Sequence, residues 1–159
     1  MILRIRTILD VEDDVLRDIE VDEKFLLKDL NNLIIEVYGF EGKEMASFFK
    51  TNENWEQGDE MSLIDMGIGK DYSNEALNTI FNTENNRLLY IYDFLELWTF
   101  FIEVIEVSEY NKNTKYPNLV FSKGEVPENS PTKIFEESNS DINIEKNKDN
   151  TDLDYDQFY

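Results

Sequence analysis

The chain contains no cysteine and no histidine. Without cysteine there is no disulfide framework, no thiolate nucleophile and no sulfur-ligated metal, and nothing points to an oxidising compartment. Without histidine, Ser-His triads, imidazole general bases and every histidine-containing zinc site are excluded. Basic residues are also few, 15 against 35 acids, for a net charge of -20. Residues 1–131 hold 27 acids and 12 bases and residues 132–159 hold 8 and 3, so the acidity belongs to the whole chain. Such a field repels phosphate backbones and anionic lipid, and no local basic patch offsets it, so neither direct nucleic-acid binding nor membrane binding is expected. The longest apolar region, residues 88–107, is interrupted by Asp93, Glu96, Glu103 and Glu106, which is incompatible with a membrane span. The opening Met-Ile-Leu-Arg-Ile-Arg has no signal-peptide pattern. A cytoplasmic protein is the expectation.

What is present centres on residues 87–107, Arg-Leu-Leu-Tyr-Ile-Tyr-Asp-Phe-Leu-Glu-Leu-Trp-Thr-Phe-Phe-Ile-Glu-Val-Ile-Glu-Val. Aromatic and β-branched residues suit a pleated, half-buried surface, so this stretch reads as two core strands joined by a tight turn at 93–96. Its second arm places Trp98, Phe100, Ile102 and Val104 on one face. Ahead of it, residues 1–9 and 15–22 alternate with period two and read as an antiparallel hairpin. Leu26, Leu30, Leu33, Ile34 and Val37 then recur at helical spacing, with Asp22 to cap that helix or the turn before it and Gly39 at its end. Hairpin then helix is the opening order of a β-grasp layout.

Residues 45–51 read as a third strand, and 52–70 as an acidic loop anchored onto the core by Trp55, Met61, Leu63, Ile64 and Met66. Ser73 is a candidate N-cap for a short helix carrying Ala76, Leu77, Ile80 and Phe81, ended by 82–86. The Tyr116-Pro117 segment reads as extended chain packed along the domain. The fold class is therefore α+β: a small mixed or antiparallel sheet in one domain over 1–129. Residues 130–159 form an acidic tail, too poor in apolar residues through 130–153 to offset chain entropy and so expected to be disordered.

Candidate sites are few. Asp93 and Glu96 form the one carboxylate pair worth naming, because Tyr92, Phe94 and Trp98 can desolvate a neighbouring acid. Arg4, Arg6 and Arg17, three of four arginines, form either an anion-binding cluster or cross-strand pairs with Asp18, Glu20 and other acids. Asp59, Glu60 and Asp65 lack the ordered spacing of a calcium loop and read as solvated loop acids. The closing Asp-Leu-Asp-Tyr-Asp-Gln-Phe-Tyr interleaves acids with Leu153, Tyr155, Phe158 and Tyr159, a linear motif for a partner groove or a basic surface. No metal or other cofactor is expected.

Four stretches in order carry a resemblance: Val15-Leu-Arg-Asp-Ile-Glu-Val, Leu27-Lys-Asp-Leu-Asn-Asn-Leu-Ile through Tyr38-Gly-Phe, Leu89-Tyr-Ile-Tyr-Asp-Phe-Leu-Glu-Leu-Trp, and Tyr116-Pro. Over residues 1–128 the chain resembles the plasmid pRi open-reading-frame-three-like family, also labelled transposon or insertion-element passenger proteins. Phe48-Phe49 and Asn54-Trp55-Glu56 are similar to an acidic subgroup of it. The chain departs from the family at Leu16, where Trp is usual, at Ala46 and Phe100, where His is usual, and at Leu95-Glu96 in place of a Gly/Asp turn. Any histidine chemistry of other members is thus closed to it. A resolvase role needs an activated serine among arginines and a basic DNA-binding region, and neither is here. The resemblance implies an α+β domain and brings no activity with it. The leading expectation is a non-enzymatic accessory or protein-interaction module engaging a protein with a basic surface. The alternatives are an acidic mimic of nucleic acid that occupies a DNA-binding protein, and a carboxylate-dependent enzyme using Asp93 and Glu96.

Overall fold

The computed structural model describes residues 1–64, 67 and 69–132. Among them, seven strands form one sheet in the order β4-β3-β5-β6-β1-β2-β7. They are β1 (Ile2–Leu9), β2 (Leu16–Asp22), β3 (Ala46–Lys50), β4 (Glu60–Ser62), β5 (Arg87–Tyr92), β6 (Trp98–Ser108) and β7 (Asn118–Lys123), with helices α1 (Leu27–Tyr38) and α2 (Leu77–Ile80). Every pairing is antiparallel. The hairpin-then-helix opening is present, and β1 lies between β2 and β6, antiparallel to both.

Alternation decides which face each strand buries. Leu3, Ile5, Ile19, Val21, Phe48, Leu88, Tyr90, Phe100 and Ile102 point to one side, where they pack with Leu27, Leu30, Ile34 and Tyr38 of α1 and with Leu77. Helix α1 ends as its sequence dictates, with Gly39 in the left-handed region at φ 76° and the Phe40 N–H bonded back to the Ile35 carbonyl at 3.0 Å. Asp22 caps the turn before the helix, its Oδ1 accepting the Lys24 N–H at 2.8 Å.

A buried polar node fastens the helix end to the sheet. The Tyr38 hydroxyl donates to the Thr7 carbonyl at 2.9 Å and sits 2.8 Å from Thr7 Oγ1. Burial pushes this phenol up to about 12. Arg17, expected among cross-strand acids, turns instead to this face. It donates to the carbonyls of Val37, Leu16 and Lys123 and lies over the Tyr38 ring at 4.8 Å. One cation thereby ties α1, β2 and β7 together, so the three arginines form no common anion site.

Three other expectations are corrected. The 52–70 loop contains strand β4, too short for period two to register, with only Met61 deeply buried. Ser73 does not cap α2. That helix starts after Ala76, and the Ser73 carbonyl accepts the Lys28 N–H at 3.0 Å because 73–78 runs alongside 23–28 through the Leu26–Ala76 bridge. The Tyr116-Pro117 segment leads into a true edge strand, β7, paired with β2.

After Lys123 the chain turns at Gly124, φ 74°, where a Cβ would run into the Asp14 carbonyl oxygen. Gly124→Ala is therefore expected to cost about 2 kcal/mol, through both the clash and the left-handed backbone. Urea denaturation would register it as a lowered midpoint at unchanged slope. Residues 124–130 then cross the end of the sheet, Val126 packing against the core and Ser130 fully buried, so packing extends one residue past the expected boundary at 129. The chain beyond Thr132, including Leu153, Tyr155, Phe158 and Tyr159, lies outside the described residues, as do Asp65 and Met66. No helix among the described residues is long and apolar enough to cross a membrane.

Candidate functional site

The turn between β5 and β6 gives each expected acid a separate task. Asp93 takes φ 65°, and its Oδ1 accepts the N–H groups of Leu95 at 3.0 Å and Glu96 at 3.2 Å. Glu96 Oε2 accepts the Ser130 hydroxyl at 2.7 Å, pinning the crossing segment to the turn. Of the aromatics expected to desolvate this pair, Tyr92 and Trp98 are buried in the core and Phe94 is 44% exposed. Among the described residues no group of three or more Asp, Glu, His or Cys is placed to hold a metal ion.

The side of the sheet opposite α1 carries the charged residues. Arg87, Glu103, Arg6 and Asp18 stand in direct register across β5, β6, β1 and β2. The Asp18 side chain is 1% exposed and Arg6 grips it twice, Nε to Oδ1 and Nη2 to Oδ2, both at 2.9 Å, with Arg4 at 3.4 Å from Oδ2. The Arg6 hydrogen bonds hold the Asp18 carboxyl below the usual carboxylate range and raise the Arg6 guanidinium.

At the far end of this row Arg87 organises a cleft. Its Nη1 donates to the Glu53 carbonyl at 2.8 Å, its Nε lies 3.5 Å from Glu103, and its guanidinium stacks over Trp55 at 4.7 Å. Trp55 in turn meets the Phe101 ring edge-on at 5.1 Å. Trp55 therefore anchors the acidic loop on the outer face and not, as expected, on the core; Ile64 is 45% exposed and anchors nothing. Holding a bulky residue at φ 59° costs of order 1–2 kcal/mol, which these two ring contacts help to offset.

The cleft has a volume of about 740 Å³ and lies between residues 51–54 and 83–87. Each wall is a loop bent by an asparagine. Asn52 Oδ1 accepts the N–H groups of Asn54 and Glu56, and Asn82 Oδ1 those of Glu84 and Asn85. The turns place Glu53 and Glu84, both exposed, among Thr51, Asn52, Asn54, Thr83, Asn85 and Asn86. A second hollow of about 360 Å³ shares Thr51 and Asn52 and adds Glu56 and Asp59. The cation in the cleft wall, Arg87, is already balanced by Glu103. Neither the Glu53 nor the Glu84 carboxylate takes part in any described ion pair. Chemically this is a negative, hydrogen-bonding hollow suited to a cationic donor. Sequence reasoning passed over it; the signal was the pair of Asn-led polar runs, 52–54 and 82–86, which close on each other only through strand pairing.

The sequence model of the family described as plasmid pRiA4b ORF-3-like protein matches residues 2–155. No curated protein matches. Among solved structures, the crystal structure of the protein of unknown function MM3350 from Methanosarcina mazei Go1 is similar, with a TM-score of 0.72 and 23% identity over 89% of this chain and 80% of that one. That likeness shows a shared fold.

Proposed function

The chain belongs to the plasmid pRiA4b ORF-3-like family, and from that premise we propose that it is a non-catalytic protein-interaction domain. It receives a lysine or arginine side chain of a basic partner protein in the cleft between residues 51–54 and 83–87. The observation that supports this reading is the pairing of two ion-pair-free carboxylates, Glu53 and Glu84, across a hollow whose arginine is already neutralised. The net charge of -20 steers a basic partner inward and speeds encounter, while the cleft supplies the contact that selects it. Leu153, Tyr155, Phe158 and Tyr159 belong to the same reading as further partner contacts. The encounter is placed in the cytoplasm, consistent with a chain free of cysteine.

Amide chemical-shift mapping tests the location. Titration with a capped lysine-and-arginine peptide at physiological salt is expected to move the amides of 51–54 and 83–87 first and furthest. Small shifts spread evenly over the acidic surface would remove the cleft from the account.

A further inference from the structure

Residues 110–124 contain three lysines and no acid, in a chain with 35 acids and 15 bases. This acid-free run ends in β7, the edge strand beside β2, whose other edge has no strand partner among the described residues. Leu119, Val120 and Phe121 of that strand are 46%, 38% and 46% exposed. An edge with no strand partner, exposed apolar side chains on both faces and a lysine at its end is suited to strand addition by an acidic, apolar segment.

We propose that residues 152–159 of the same chain add to the open edge of β7. Their order, Asp-Leu-Asp-Tyr-Asp-Gln-Phe-Tyr, alternates with period two, so in strand form the three aspartates share one face and Leu153 and Tyr155 the other. The acidic face meets the side of Lys123, which pairs with Leu16, and the apolar face meets the side of Leu119, which pairs with Ile19. Lys123 is free to exchange partners, since its present contact, Asp14 at 3.3 Å, is 78% exposed. The register shift between Asp18 and Ile19 makes β7 irregular at Val120, and Pro117 closes its start. Only a short stretch of edge can therefore pair, which suits a segment of a few residues and discourages open-ended association.

Reach and concentration favour the same molecule over a second copy. Ser130 is held at the β5–β6 turn, at the end of the sheet where β7 finishes, and three strand spacings separate β6 from β7, about 14 Å. Residues 133–151 intervene, and a connection of that many residues reaches about 25 Å. The resulting effective concentration is of order 1 mM, far above that of free protein at micromolar levels. Two chains of charge -20 also repel each other. This docking uses a surface apart from the cleft, and the partner contacts proposed for Leu153, Tyr155, Phe158 and Tyr159 are then made only by molecules in which the segment has left β7.

Hydrogen–deuterium exchange on the full chain tests it. In peptides covering 118–123, the outward amides are expected to exchange at least tenfold more slowly than in the Asp152→Lys/Asp154→Lys/Asp156→Lys variant. That difference should be unchanged over a hundredfold range of protein concentration, with β1 peptides identical in both as the check on folding. A difference that grows with concentration would overturn the proposal in favour of a second copy's segment, and equal exchange in the two proteins would overturn it outright. Glu53 and Glu84 lie outside this contact, so failure here is separable from failure of the cleft.

Discussion

Phe100→Ala is expected to remove about 4 kcal/mol of stability. Phe100 is fully buried at the centre of the sheet's core face. Its ring lies 4.7 Å from Tyr38, 5.6 Å from Tyr90 and 6.1 Å from Phe40, so it bridges the end of α1 to β5 and β6. Collapse into the space is hindered because two of those neighbours are themselves fixed. The Tyr38 hydroxyl is bonded to Thr7, and the Tyr90 hydroxyl donates to Asn31 Oδ1 at 2.6 Å. Burial also raises the Tyr90 phenol well above its ordinary value. At roughly 2–4 °C per kcal/mol for a chain of this size, the melting temperature should fall by about 8–16 °C. Phe94→Ala, at a residue 44% exposed on the turn, should cost under about 0.5 kcal/mol. Urea unfolding of both variants measures the contrast, and equal losses would contradict the assignment of the core face.

Asp18→Asn is the second large effect, expected at about 3 kcal/mol near neutral pH. The carboxylate is nearly inaccessible and accepts two hydrogen bonds from Arg6 and a longer one from Arg4, so loss of its charge leaves two arginines facing a neutral amide. The figure lies at the low end for a buried pair because the Arg6 side chain is 41% exposed and can recruit water. The pH dependence has a definite sign. The folded-state value of Asp18 lies below its ordinary 3.8, so its stabilisation is complete above pH 3.8 and fades as pH falls through the lower folded value. The gap between the original chain and Asp18→Asn should therefore be constant from pH 7 to about 4 and close below that. A gap that closes already between pH 7 and 5 would contradict this account.

The sequence made the framework legible wherever one face of an element is buried. Alternation in 1–9, 15–22 and 87–107 marked the central strands, and the leucine and isoleucine spacing with Gly39 marked α1, because burial on a single face imposes a period. Met61 alone is deeply buried in β4, so no period could form there. The role of Ser73 was obscured because non-local backbone pairing with 23–28 outweighed its local capping preference. Arg17 broke the rule that alternating charged residues face water, since three carbonyls and the Tyr38 ring satisfy it inside. The cleft was the least legible feature, because its walls are 30 residues apart in sequence and meet only where β3 pairs with β5. Asp93 and Glu96 were legible as turn acids, whereas the partner of Glu96, Ser130, lies beyond the boundary that composition suggested.

The cleft's selectivity for a cation is tested most directly by comparing two double variants with the same loss of charge. In Glu53→Gln/Glu84→Gln both cleft carboxylates are neutral; in Glu36→Gln/Glu109→Gln two exposed acids elsewhere are neutral. Affinity for the capped lysine-and-arginine peptide, measured by calorimetry at about 0.15 M salt, should fall at least tenfold, about 1.4 kcal/mol, in the first and less than twofold in the second. Equal losses in the two would show that diffuse charge binds the peptide and would contradict the cleft as the recognition site.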